Sequence, residues 1–159
     1  MLCNLCTFLG DSSGKCQCTP DQISRYRARI SGPLLDRIDL QLFVPRVERA
    51  ALNIAAVNTA ETSEVVRERV TRARMVQLQR SGKPNALLAP KEIEQHCIPD
   101  AAAKQLLESA MSRLALSARG YHRVLKVART IADLSNAEII SSSHIAEAVR
   151  YREMDRGTA

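Results

Sequence analysis

Tryptophan is absent from this chain of 159 residues, and aromatic side chains make up only 3% of it. Apolar residues nonetheless reach 45%, so the core has to be aliphatic, built from Ala, Leu, Ile and Val, as in a helical bundle. No apolar run is long enough to span a bilayer, and no signal peptide opens the sequence. No membrane partner, and a cytoplasmic, reducing setting that disfavours disulfides, are therefore expected. Internal repeats and low-complexity tracts are missing as well, which at this length leaves one domain, or one domain with an appendage.

A phosphate-cradling loop is also lacking. "LGDSSGKCQC" (9–18) comes nearest, but a P-loop needs four residues between its glycines and a hydroxyl after its lysine. Only three residues separate Gly10 from Gly14, Cys16 follows Lys15, and no apolar strand precedes them. Nothing else in the chain fits, so alone it should neither hold nor hydrolyse a nucleotide. The same stretch offers thiols: Cys3-x-x-Cys6 and Cys16-x-Cys18 place four soft ligands on two arms, enough for a tetrahedral Zn²⁺ site. Loose thiols on a disordered terminal segment and disulfides are the alternatives. Cys97, beside His96, reads as a buried helix-end residue.

What is present is mainly helical. "TPDQISRYRARIS" has Thr19 as N-cap, Pro20 at the first helical position and Gln22 three residues after the cap, predicting a helix to about Ser31. Leu34–Asp36 make a helical turn. Leu40, Leu42 and Val44 then alternate in a strand over 39–44 that Pro45 ends. A lone strand cannot bury itself, so its sheet must lie elsewhere. Residues 46–60 read as a linker. Beyond it come "TSEVVRERVTRARMVQLQRSG", with Val66, Val70, Ala73 and Val76 near helical spacing, and a short helix in "APKEIEQHC". Two helices follow, with inward faces at Ala103, Leu106, Leu107, Ala110, Met111 and Leu114, then at Tyr121, Val124, Leu125, Ala128, Ile131 and Ala132. A serine-capped last helix turns Ile145, Ala148 and Val149 inward. Together they predict a compact bundle over 61–156.

Lys plus Arg number 23 against 17 Asp plus Glu, a net charge of +6, which favours nucleotide phosphates or nucleic acid as partners. Arg37, between Asp36 and Asp39, is either a structural arginine paired with those aspartates or one delivered to an anion on another subunit. Arg119 falls in the first turn of a helix, where the dipole favours anions. A phosphate there would resolve the conflict. Arg123 and Lys126 continue the same side, so a solvated basic face is the other reading.

"CTPDQISRYRARISGPLLDRIDLQLFVP" and "LSARGYHRVLKVARTIADLSNAEIISSSHIAEAVRYR" closely resemble the C-terminal part of Mg-chelatase-like AAA+ ATPases, the ComM competence-protein family. The resemblance runs from about Cys6 to Arg156. It implies a mainly α fold: an AAA+ C-terminal helical lid over 61–156, preceded over 19–45 by a helix and orphan strand from an ATPase core whose P-loop lies upstream. Residues 1–18 would be a cysteine-rich metal clip or a disordered segment, with Zn²⁺ optional, since the family's "NPCPCG" is not kept here. Arg37, in "LLDRID", resembles the arginine finger that reaches a neighbour's γ-phosphate. Arg119, in the [ST]-x-R segment, resembles sensor 2; Arg123, on the same side of that helix, is a further candidate for binding the nucleotide. The resemblance further implies ATP and Mg²⁺ for the longer protein, a homo-oligomer such as a hexameric ring, and DNA as substrate in branch migration or strand separation. An ATPase that remodels a protein partner, as in porphyrin metallation, and a plain helical binding module are the alternatives.

Overall fold

The computed structural model describes residues 15–31, 34, 37–42 and 61–152. The first helix, α1 (Pro20–Arg27), begins with the expected capping box. The Gln22 N–H donates to Thr19 Oγ1 at 3.3 Å and the Thr19 N–H donates to Gln22 Oε1 at 2.9 Å, so two end-of-helix donors are satisfied reciprocally. It stops at Arg27 instead of near Ser31. Among the helix residues whose burial is described only Ile23 and Tyr26 are half-buried, so little packing sustains so short a helix further.

The strand expected over 39–44 does not form over 39–42; residues 43 and 44, like Leu35 and Asp36 of the preceding turn and all of the linker, lie outside the described residues. A strand exists by pairing, and here the Gln41 N–H donates at 2.8 Å to the carbonyl of Tyr151 at a helix end, not to a neighbouring strand. Leu40 and Leu42, which the sheet was to cover, stay exposed.

The remaining helices are α2 (Ser63–Ser81), α3 (Pro90–His96), α4 (Ala101–Leu114), α5 (Ala118–Leu134) and α6 (Ser142–Arg150), with a 3₁₀ turn at Asn85–Leu87 between α2 and α3. The fold is thus mainly helical, as read from the sequence. Helix α5 is the hub: α2, the 3₁₀ turn, α3 and α6 all pack on it, and α4 packs on α6. Its buried face is the expected one, with Val124, Leu125, Ala128 and Ala132 inside. Helix α4 buries Ala103, Leu107 and Ala110 but leaves Leu106 at the edge, and α6 buries Ile145, Ala148 and Val149. The Asp100 N–H donates to the Ile140 carbonyl at 2.9 Å, joining the α3–α4 link to the α5–α6 link. Gly82 ends α2 with φ of 69°, a backbone only glycine takes without strain.

Helix α2 departs from expectation. Val70 and Val76 are exposed, and the buried residues are Ala73 and Gln77. Val66, Val70, Ala73, Gln77 and Arg80 follow i, i+4, i+7, i+11, i+14 and so share a face, with Val76 off it. That face turns inward through Ala73 and the polar Gln77 and Arg80, whereas Val70, nearer the start of the helix, is exposed.

Cys97 closes α3 and is buried, as its position suggested. Burial pushes its thiol up to about 11, so the protonated form is favoured by folding. The folded pKa lies above the unfolded one, so the thiol's contribution to stability falls as pH rises from about 9 toward 11, by up to ~1.4 kcal/mol per unit. Alkylation of Cys97 at pH 8 should run about 100-fold slower in the native chain than in urea, because only thiolate reacts. Peptide mass spectrometry after iodoacetamide would measure this, and equal rates would contradict it.

Candidate nucleotide-sensing groove

Helix α5 starts at a serine cap: the Gly120 N–H donates to Ser117 Oγ at 3.1 Å. Arg119 follows in the first turn, exposed, and no described residue pairs with its guanidinium. A cation at this end opposes the helix dipole, which favours negative charge there. An anion beside Arg119 would be attracted by both.

One and two turns further along lie Arg123 and Lys126, and both are engaged by protein. Arg123 Nη1 donates to the Arg37 carbonyl at 2.7 Å and to the Asp39 carboxylate. Lys126 Nζ donates to the Ala86 carbonyl at 3.0 Å. The expected basic face therefore divides: no described residue pairs with Arg119, while its two neighbours tie α5 to other segments. Beneath them runs an open groove of about 690 Å³, with Arg119, His122 and Arg123 among its polar lining and Leu88, Ile93, Val127 and Ile131 among its apolar lining.

Arg37 lies in an exposed turn. The nearby Asp39 carboxylate pairs with Arg123 instead, and no described residue pairs with the Arg37 guanidinium. Asp36 lies outside the described residues. The structure thus brings the backbone at Arg37 against α5, one turn from Arg119.

Of the four thiols proposed for zinc, Cys16 and Cys18 are half-buried, and Cys3 and Cys6 lie outside the described residues. Among the described residues no group of three His, Cys, Asp or Glu side chains could hold a metal. None of their helices is long and apolar enough to cross a membrane.

A buried polar network behind the groove was not anticipated. Asp133, on α5, is buried with its carboxylate between two guanidiniums. Arg129 Nε donates to Asp133 Oδ1 at 3.1 Å, and Arg80, from α2, donates to both carboxylate oxygens. The other Arg129 nitrogens donate to the carbonyls of Glu138 (2.7 Å) and Ala137 (2.5 Å). Buried Asn85 donates to Asp133 Oδ2 at 2.8 Å and to Thr130 Oγ1 at 3.1 Å, while its N–H donates to Gln77 Oε1 at 3.1 Å. Burial pulls the Arg129 guanidinium below its ordinary value, and Asp133 opposes that pull. The arrangement locks α2 and the 3₁₀ turn to α5, and so fixes the rear of the groove. Its one sequence signal is the Arg129–Asp133 pair at i, i+4; Arg80, 53 positions away, carries none.

The mainly helical fold agrees with the family comparison. Residues 60–152 match the family described as magnesium chelatase, subunit ChlI C-terminal, and residues 1–52 match magnesium chelatase, subunit ChlI. The chain belongs to the Mg-chelatase-like family, a branch of the AAA+ ATPases. Among its relatives, competence protein ComM of Haemophilus influenzae is 47% identical over 138 residues, covering 87% of this chain and 27% of that protein. Uncharacterized protein YifB of Escherichia coli is 44% identical over 140 residues, covering 88% and 28%. Uncharacterized protein Rv2897c of Mycobacterium tuberculosis is 33% identical over 142 residues, covering 87% and 28%. The chain spans little more than a quarter of the length of these relatives.

Proposed function

We propose that this chain is the C-terminal lid region, with the end of the ATPase core, of a longer cytoplasmic AAA+ motor that uses ATP and Mg²⁺ to remodel DNA. The observation that carries the reading is Arg119: a cation at a helix N-terminus, exposed, with no described partner, at the rim of a groove. Such a group fits the phosphates of a nucleotide held by an upstream core. Arg119 acts as sensor 2 in its own subunit, and Arg37 acts as the finger that stabilises charge on the γ-phosphate of the neighbouring subunit. Neither works without the other's site, so the active form is a ring, with six subunits as the expected number. The lid turns as a rigid body when the phosphate is lost, because its helices are locked together behind the groove.

DNA is favoured as the substrate by the excess of basic residues and by the relative named a competence protein. The test is ATP-dependent branch migration of a four-way DNA junction by the full-length protein. Movement of the junction, with ATP hydrolysis stimulated by DNA, is expected. Hydrolysis indifferent to DNA would favour remodelling of a protein partner instead.

A further inference from the structure

Arg123 stands between the two arginines just assigned to the nucleotide. It follows Arg119 by one turn of α5, and its Nη1 donates to the Arg37 carbonyl at 2.7 Å and to the Asp39 carboxylate. These contacts join positions 84 to 86 residues apart in sequence. A guanidinium presents its donors in a planar fork and stays charged at any working pH, so it can hold a carboxylate and a carbonyl together. Two residues further on, the Gln41 N–H donates to the Tyr151 carbonyl at 2.8 Å, pinning the same segment a second time at the end of α6.

The Asp39 side chain is 54% exposed and that of Arg123 25%. A pair so open to water adds little to stability. What it does fix is geometry: the backbone from which Arg37 projects is held against the helical turn that carries Arg119. A cation already held by a carboxylate and a carbonyl is also less available to a phosphate than Arg119 is.

We propose that Arg123 is a positioning residue that couples the two arginines. Through Asp39 and the Arg37 carbonyl it makes the start of α5 and the 37–42 segment move as one body. A lid rotation registered at Arg119 then changes where Arg37 is presented to the neighbouring subunit. The inference rests on the finger and sensor assignments above.

The test uses the full-length protein carrying Arg123→Ala, Asp39→Ala, both together, or the exchange Arg123→Asp with Asp39→Arg. Turnover is read at saturating ATP, and nucleotide affinity is read with a fluorescent ATP analogue. Each single variant should lose about five- to tenfold in kcat, the scale of coupling carried by one contact, with affinity changed less than about twofold. The double variant should be no worse than either single one, because both remove one interaction, and the exchange should recover part of the loss. Additive losses would overturn the proposal. So would weakened nucleotide binding in Arg123→Ala but not in Asp39→Ala, which would make Arg123 a nucleotide ligand. Arg37→Ala and Arg119→Ala are measured alongside: if neither alters turnover, the underlying assignments fail. If both do while the Arg123 and Asp39 variants turn over normally, the coupling alone fails.

Discussion

Arg37→Ala in the full-length protein should lower ATP hydrolysis by about 10³- to 10⁵-fold, the range for removal of an arginine finger, while leaving ATP affinity nearly unchanged. The expectation follows from where the guanidinium is and what it lacks. Arg37 is exposed, and the nearby Asp39 is turned to Arg123, so its charge is not neutralised by any described residue. A cation that stabilises charge developing on a transferring phosphoryl group affects the transition state more than the bound ground state. Arg37→Lys should rescue little, since an ammonium cannot reproduce the planar fork. Turnover within a few-fold of wild type in Arg37→Ala, measured by phosphate release, would remove the finger assignment.

The second large effect concerns the fold. Asp133→Ala should cost about 3–5 kcal/mol, the penalty for breaking a buried ion pair by deleting one partner. Asp133 accepts from Arg80, Arg129 and Asn85, so its loss strands two guanidiniums and an amide where water cannot replace the carboxylate. Arg80→Ala should be milder, because the Arg80 side chain is 20% exposed and Arg129 still pairs with Asp133. Urea unfolding followed by circular dichroism measures both. A loss below about 1 kcal/mol for Asp133→Ala would mean that the network contributes little to the bundle.

The helices were legible because their ends are written locally. Thr19 with Gln22, Ser117 and Gly82 each satisfy or end backbone hydrogen bonds within a few residues, so a linear reading finds them; at the start of α6 it is His144 Nδ1 that accepts from the Ser141 N–H. The inward faces of α5 and α6 were legible for a similar reason, since their apolar residues repeat at helical spacing. Helix α2 misled because the inward part of its face holds Ala73 with the polar Gln77 and Arg80, which pair with Asn85 in the following turn and with Asp133, 53 positions from Arg80. The segment at 39–42 misled differently: alternation of Leu40 and Leu42 promises a strand, but a strand also needs a neighbour, and sequence pattern does not supply one.

For the site, Arg37 and Arg119 could be singled out from their local settings and from the family resemblance. Their spatial relation could not. It depends on Arg123 reaching Asp39 and the Arg37 carbonyl, a long-range contact that leaves no periodic trace. Zinc stays where the cysteine spacing placed it, as a hypothesis about Cys3, Cys6, Cys16 and Cys18. One zinc per chain, found by metal analysis of protein purified without chelator, would support it.

The account holds that ATP is completed from two subunits, with Arg119 from the one that binds it and Arg37 from the next. Mixing two separately inactive full-length variants, Arg37→Ala and Arg119→Ala, measures this directly. At a mixed interface the first supplies an intact sensor and the second an intact finger, so hydrolysis should reappear on mixing and rise with the fraction of mixed interfaces. Mixtures that form joint rings yet stay as inactive as their components would show that both arginines must come from the same subunit, contrary to the account.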